Sequence, residues 1–332
     1  MEITAGGRLE VRITPADVGK RVSVRCLTDD PKAPEKFTDT VGVLTSWDKG
    51  VLLITRRTGE SVRIPESALV AGKVAPSAPA RRRGPAASFE ELAPVAARAW
   101  QPVESERLGD WLLRASSGFT RRANSVLPLG DPGLPLDEAL AHVTRWYAAR
   151  QLPAYIQTAT GAEGTQEQLC AELEERGWVR EVSAELRIAR LAPIGDLDAD
   201  VSRVQLARTA DDAWLSRYQR SQEPGPHVRA VLGSGPSVWF ASVPGDSGDV
   251  PAAIGRCVVD GRWAGFMAVE VDPASRRQGL ATAVMAALAR RALEEGASAS
   301  WLQVESDNDG ARALYDGMGF ATHHHYHHFR SA

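Results

Sequence analysis

The stretch Val271-Asp272-Pro273-Ala274-Ser275-Arg276-Arg277-Gln278-Gly279-Leu280-Ala281 constrains the fold more than any other part of the chain. It reads as a strand end, a tight glycine turn and the first turn of an amphipathic helix. Upstream, residues 263–271 predict a central strand. Downstream, residues 280–295 set Leu280, Val284, Leu288 and Ala292 on one helical face, with Arg290, Arg291, Glu294 and Glu295 near the exposed end and Gly296 as a stop. Backbone amides at such a helix start converge on one point, and a glycine lets a bound group approach the main chain closely. The turn is therefore a phosphate cradle within an α/β arrangement.

A second signature follows at a fixed distance: Asn308-x-x-Ala311-x-x-x-Tyr315-x-x-x-Gly319-Phe320. Arg276-Arg277-Gln278-Gly279-Leu280-Ala281 fits the pattern R-x-x-G-x-(G/A) between a strand and a helix. Taken together, these motifs make residues 201–329 resemble the GNAT acetyltransferase superfamily. The resemblance implies acetyl-CoA as co-substrate. It also implies that the backbones of Val269 and Val271 pair with the pantetheine arm. The amides of Arg277, Gln278, Gly279, Leu280, Ala281 and Thr282 would hold the pyrophosphate, with Arg276 adding charge. Asn308 is expected beside the pantetheine or at the cofactor's helix face, and Tyr315 next to the thioester sulfur.

A hydroxyl is useful at that point. Aminolysis of a thioester expels a thiolate whose parent thiol has a pKa of about 8.5, so a donated proton or hydrogen bond assists its departure. Tyr315 is the expected general acid. A strand amide near Val269 would polarise the thioester carbonyl, as an oxyanion hole does. The attacking amine must be neutral, and two carboxylates are placed to help, directly or through water: Glu270 on the predicted central strand and Glu305 on the next strand, 300–305. Glu223, in Gln222-Glu223-Pro224-Gly225-Pro226, lies in the loop that helps form the acceptor pocket in similar enzymes, although a proline-ordered surface loop also explains it. The run His323-His324-His325-Tyr326-His327-His328 alternates between two strand faces. Thioester aminolysis needs no metal, so no metal site is expected there.

The remainder of the chain divides by composition. Residues 8–74 carry short β-rich runs at 21–25, 41–45, 51–55 and 61–64, separated by turns such as Asp48-Lys49-Gly50, which predict an N-terminal SH3-like β-barrel over residues 1–75. Residues 76–87 are rich in Pro, Ala, Ser and Arg, include Arg81-Arg82-Arg83, and read as a linker. Helices are predicted at 88–99, 136–150 and 165–176, with a strand at 154–158. Leu173-Glu174-Glu175-Arg176-Gly177-Trp178 repeats the spacing of Tyr315-Asp316-Gly317-Met318-Gly319-Phe320. In this earlier copy Leu173 stands in place of Tyr315, and Leu129-Gly130-Asp131-Pro132-Gly133 stands where a cofactor loop would be, with prolines that remove amide donors.

The expected fold is thus α/β: a tandem GNAT-like arrangement with a degenerate first half (88–200), an active second half (201–332) and the N-terminal barrel. The whole arrangement resembles actinobacterial two-part acetyltransferases, some of them assigned as N-acetylglutamate synthases, which would imply a glutamate acceptor. The chain has 332 residues, enough for two or three domains, and its formal charge of −3 gives no global reason to bind nucleic acid or an anionic membrane. Its three scattered cysteines, Cys26, Cys170 and Cys257, argue against a disulfide framework or zinc site and for a reducing cytoplasm. No apolar run reaches the roughly 18 residues of a membrane span. The expected activity is acetyl transfer to a primary amine. An acyl-CoA-responsive regulator, or a transferase delivered to a protein by a nucleic-acid-binding arm, is the competing reading.

Overall fold

The computed structural model describes residues 10–28, 37–76, 84–218, 224–245 and 248–332. Glu223 and Arg81-Arg82-Arg83 lie outside these described residues. The chain forms two compact units: Met1–Ala80 with Thr158–Trp178, and Arg81–Gln157 with Val179–Ala332.

In the first unit, β1 (Arg21–Leu27), β2 (Phe37–Asp48), β3 (Val51–Thr55), β4 (Ser61–Pro65) and β5 (Leu69–Val74) form one antiparallel sheet. Alternation along the strands sends Val22, Val24, Leu44, Leu52, Ile54 and Ile64 into a single core. The sheet order is β4-β3-β2-β1-β5, an open row with β4 and β5 at its two edges. The expected SH3-like β-barrel is therefore not formed. Closure would require the outer edge of β5 to meet β4, but that edge is engaged elsewhere. The Gly72 amide donates to the Glu10 carbonyl at 3.1 Å, and the Arg12 amide donates to the Gly72 carbonyl at 2.7 Å. The leading segment thus blocks the pairing that would close the sheet.

The chain continues through α1 (Phe89–Arg98), β6 (Glu104–Leu108), β7 (Trp111–Ala115), β8 (Leu127–Pro128), α2 (Leu136–Ala148) and β9 (Tyr155–Thr160). The strands β6, β7 and β8 form a small antiparallel sheet. Next comes α3 (Glu167–Glu175), which belongs to the first unit, where the Thr160 hydroxyl donates to the Arg57 carbonyl at 2.8 Å. It is followed by β10 (Val179–Arg190), the short α4 (Ala192–Gly195), β11 (Gln205–Ala207), α5 (Asp212–Arg217) and α6 (Pro226–Leu232).

The last third supplies β12 (Ser237–Gly245), β13 (Gly248–Asp260), β14 (Trp263–Val271), α7 (Leu280–Glu294), β15 (Ala299–Glu305), α8 (Asp309–Gly317) and β16 (Ala321–Arg330). Together with earlier strands these build an eight-stranded sheet in the order β11-β12-β13-β14-β15-β10-β16-β9. Strand β10 comes from before residue 200, yet it lies between β15 and β16 and pairs antiparallel with both.

Two cores cover the two faces of this sheet. On one face α7 packs Val284, Met285, Leu288 and Ala292 against Ala253, Cys257, Phe266 and Leu302. On the other, residues of α1, α5 and α6 pack with Ile254, Val258, Trp263 and Trp301. Strand alternation sorts them: Ala253 and Cys257 face α7, while Ile254 and Val258 face away. The middle of α7 is buried almost all round, which explains its run of alanines.

A charge sits inside the second core. Arg256 is fully buried and donates to the carbonyls of Leu232, Ser234 and Ala99 at 2.6, 2.6 and 3.0 Å. These acceptors stand at or just beyond the carboxyl ends of α6 and α1, where the helix dipole is negative. Burial pulls the guanidinium down to about 9. The site lets one side chain satisfy two helix ends at once.

The approach of α7 to β13 depends on Gly255. A β-carbon there would lie 2.5 Å from Val284 Cγ1 and 3.2 Å from Leu288 Cδ1, both on stiff, buried helix positions. We expect Gly255→Ala to lower the unfolding free energy by about 1–3 kcal/mol, the usual cost of overpacking, in urea titration. An unchanged midpoint would show that α7 can shift freely.

Candidate active site

The site begins where two parallel strands separate. Strand β14 pairs with β15 from Trp263↔Ala299 to Phe266↔Leu302, and the paired register stops there, although the strands continue to Val271 and Glu305. A bulge marks the departure. On the opposite edge of β14, the register with β13 jumps between Arg256↔Met267 and Ile254↔Glu270, so β14 carries an extra residue. Ala268 adopts φ +53°, a left-handed value uncommon for a residue with a side chain. Before the bulge the strand is buried, and from Ala268 to Val271 it is half-buried. The strands therefore open into a wedge lined by the main chain of Val269, Glu270 and Val271.

The cradle closes the wide end of the wedge. The Asp272 carboxylate accepts the Ala274 amide at 2.8 Å and pairs with Arg217 of α5, which also donates to the Pro251 carbonyl at 2.8 Å. The Ala274 amide and the neighbouring Arg217 guanidinium hold Asp272 below the usual carboxylate range. Two left-handed residues then turn the chain, Arg277 at φ +61° and Gly279 at φ +77°. Gly279 is the N-cap of α7 and makes no side-chain cap bond. The leading amides of a helix have no intrahelical acceptor, so those of Leu280, Ala281 and Thr282 point toward the loop mouth. Arg276, Arg277, Gln278 and Gly279 are exposed around it. Positive helix end, unpartnered amides and two arginines form a donor set that fits a diphosphate.

Asn308 starts the second motif as the N-cap of α8, its Oδ1 accepting the Ala311 amide at 3.1 Å. Its amide nitrogen remains as a donor on an exposed residue. Tyr315, two turns further, is half-buried, with its ring edge-on to Phe320 at 5.9 Å between centroids. Phe320 in turn meets Phe266 of β14 at 6.5 Å. Gly319 is left-handed, and the Phe320 amide donates to the Tyr315 carbonyl at 3.0 Å, closing α8.

The carboxylates fall on the other face. Val269 and Val271 pack with the α7 core, so alternation turns Glu270 away from it. On β15, Leu302 and Val304 belong to the α7 core, whereas Trp301 belongs to the opposite one, and Glu305 follows Trp301 in phase. Glu270 and Glu305 thus share a face across the wedge, and Tyr315 belongs to the other. Glu270 is half-buried and Glu305 exposed.

The histidine run forms β16. His324, His327 and His328 are buried, and burial pushes His327 down to about 3. His327 Nδ1 shares a hydrogen bond with Ser183 at 2.8 Å, and His323 Nδ1 shares one with His324 Nδ1 at 2.8 Å. Among the described residues, no group of three or more His, Cys, Asp or Glu side chains is placed to hold a metal ion. Nor is any helix among them long and apolar enough to cross a membrane.

Sequence reasoning missed the groups that hold the site together. Arg217, clamping Asp272, gave no motif. Glu185 and Arg187 lie two apart within the continuously buried run of β10, residues 184–189. Opposite charges at strand spacing are the readable sign, although strand charges usually face solvent.

The family described as "Probable histone acetyltransferase Rv0428c C-terminal" matches residues 87–329. A relative of that description, the probable histone acetyltransferase Rv0428c of Mycobacterium tuberculosis, is 28% identical over 313 residues, covering 93% of each chain. Among solved structures, a GCN5-related N-acetyltransferase from Kribbella flavida aligns with a TM-score of 0.53 at 17% identity, over 74% of this chain and 96% of its own. A tandem GNAT protein from the clavulanic acid biosynthesis pathway aligns with a TM-score of 0.53 at 13% identity, over 75% and 90% of the two chains. The family match spans most of the chain and includes the wedge, the cradle and α8, so this chain belongs to the Rv0428c C-terminal family of the GNAT superfamily and is an acetyl-CoA-dependent acyltransferase.

Proposed function

We propose that the chain transfers acetyl directly from acetyl-CoA to a primary amine, with Tyr315 as general acid and Glu270 or Glu305 serving the amine. What supports this reading is that Tyr315 packs against the α7 core, whereas strand alternation turns Glu270 and Glu305 to the opposite face of the wedge between β14 and β15. A group lying in the wedge meets the phenol from one side and an incoming amine from the other.

Acetyl-CoA supplies an activated acyl group and a thiolate leaving group. The amides of Arg277 to Thr282 and the charge of Arg276 bind the diphosphate, and the main chain of Val269 and Val271 pairs with the pantetheine arm. The Val269 amide hydrogen-bonds to the thioester oxygen where negative charge develops. A carboxylate, directly or through water, removes the proton that the amine loses as its nitrogen bonds to the acyl carbon. Tyr315 gives its hydroxyl proton to sulfur as the C–S bond breaks, and recovers one from solvent. Asn308 fixes the start of α8 and offers its amide nitrogen toward the arm.

The relative's name points to a protein acceptor, and a lysine ε-amine is a primary amine. Such an amine has a pKa of about 10.4 in water, which gives a carboxylate beside the wedge a clear task in deprotonating it.

Tyr315→Phe should lower kcat by roughly 10²- to 10⁴-fold, the range for loss of a positioned acid or base, with acetyl-CoA affinity unchanged. The readout is free thiol released from acetyl-CoA in the presence of mixed amines, and undiminished turnover would remove the acid role. Gly279→Val acts at the other end of the site. Nothing lies within 4 Å of its added β-carbon, so its effect comes from the left-handed backbone. That conformation costs an L-residue about 1–2 kcal/mol, and acetyl-CoA binding by calorimetry should weaken roughly 10-fold. Undiminished binding would mean that the diphosphate sits elsewhere.

A further inference from the structure

We infer that Arg187 is a positioning residue for the acetyl transfer: from β10, the inserted strand, it grips both ends of the Tyr315 segment and sets where the phenol stands. The inference rests on the acid role proposed for Tyr315.

The helix that carries Tyr315 is poorly anchored by packing. None of the residues of α8 is fully buried, and its apolar contacts are the half-buried Ala311, Leu314 and Tyr315 against the α7 core. A nine-residue helix with so little apolar burial needs another restraint. Arg187 provides one. Its guanidinium is buried, with 5% of the side chain exposed, and lies on the same strand face as Ala189, which packs in the α7 core. It donates to the Arg312 carbonyl at 3.3 Å and to the Phe320 carbonyl at 3.1 Å, and it pairs with the Asp316 carboxylate. These three acceptors come before, beside and after Tyr315 in sequence.

Glu185 keeps this cation in place. Its carboxylate lies 3.6 Å from Arg187 Nε and 3.2 Å from Arg312 Nη2, and it accepts the Thr322 hydroxyl at 2.7 Å. Arg312 itself reaches Ser306 at 3.3 Å and Asp309 at 3.2 Å at the start of α8. Two cations thus meet three carboxylates, and the links from Arg187 to Arg312, Asp316 and Phe320 and from Glu185 to Arg312 and Thr322 run between β10 and the segment from Ser306 to Thr322. A planar guanidinium can hold three oxygens in fixed directions, which a lysine ammonium on a flexible stem cannot do in the same way. The consequence is functional: the strand from the half without a cofactor loop completes the sheet and fixes the acid of the other half.

The test is a double-mutant cycle of Arg187→Lys with Tyr315→Phe in the full chain, reading kcat, acetyl-CoA Kd and melting temperature. Arg187→Lys should lower kcat on the order of 10- to 100-fold, as misplacement of a reacting group by about 1 Å does, with acetyl-CoA affinity retained. In the Tyr315→Phe background the same change should cost nothing further, because the group being positioned has gone. A purely structural role would reduce activity by the same factor in both backgrounds, and that result overturns the inference while leaving the acid role standing. If Tyr315→Phe alone leaves kcat intact, the acid role falls and this inference falls with it. Should Arg187→Lys fail to fold, Asp316→Asn replaces it, since the Asp316 side chain is 64% exposed and Glu185 still stands beside the buried guanidinium after its loss. It should lower kcat without lowering the melting temperature, and unchanged kcat counts against the inference.

Discussion

The separation of β14 from β15 is the constraint on which the site depends. Two neighbouring strands normally satisfy each other's amides and carbonyls to their ends. Here the parallel pairing stops at Phe266 and Leu302, and the bulge at Ala268 turns the following residues away. The edge of Val269 to Val271 that faces β15 is thereby left without a strand, while Glu270 and Val271 stay in register with β13. Everything around the wedge follows from that opening: the turn at Asp272, the left-handed Gly279, the bare amino end of α7, and the helix bearing Tyr315.

Such an opening weakens the sheet locally, and the surroundings compensate. On one side Arg217 ties the cradle to α5 through Asp272 and to β13 through the Pro251 carbonyl. On the other side β10 fills the space between β15 and β16, continuing the sheet that the wedge interrupts. Below the wedge, Gly255 admits α7 closely and Arg256 joins the ends of two helices. Buried charge in both places makes directional contacts where apolar packing alone would leave polar groups without partners.

The parts legible in the sequence were those written in local pattern. Strand β14, with bounds Trp263–Val271, follows from a short apolar run and α7 from helical periodicity, with Gly279 marking the turn between them. Less legible were features that depend on distant partners. Four β-rich runs with tight turns suggested a closed barrel. Closure is decided by which edges are free, and the engagement of Gly72 by Glu10 and Arg12 carries no local signal. The insertion of β10 is likewise a pairing between residues more than a hundred positions apart, invisible to periodicity. Arg187 and Arg256 read as ordinary strand charges because their acceptors are mostly backbone carbonyls brought in by the fold. The histidine run attracted attention by composition, yet its buried members serve the interior of β16.

The central claim is that the wedge holds the pantetheine arm while the amino end of α7 holds the diphosphate. A crystal structure of the chain with acetyl-CoA tests it most directly. The account requires the diphosphate oxygens within hydrogen-bond distance of the amides around Gly279, the arm alongside Val269 and Val271, and the Tyr315 hydroxyl facing sulfur. A nucleotide bound away from α7, or a phenol turned from the thioester, would contradict it.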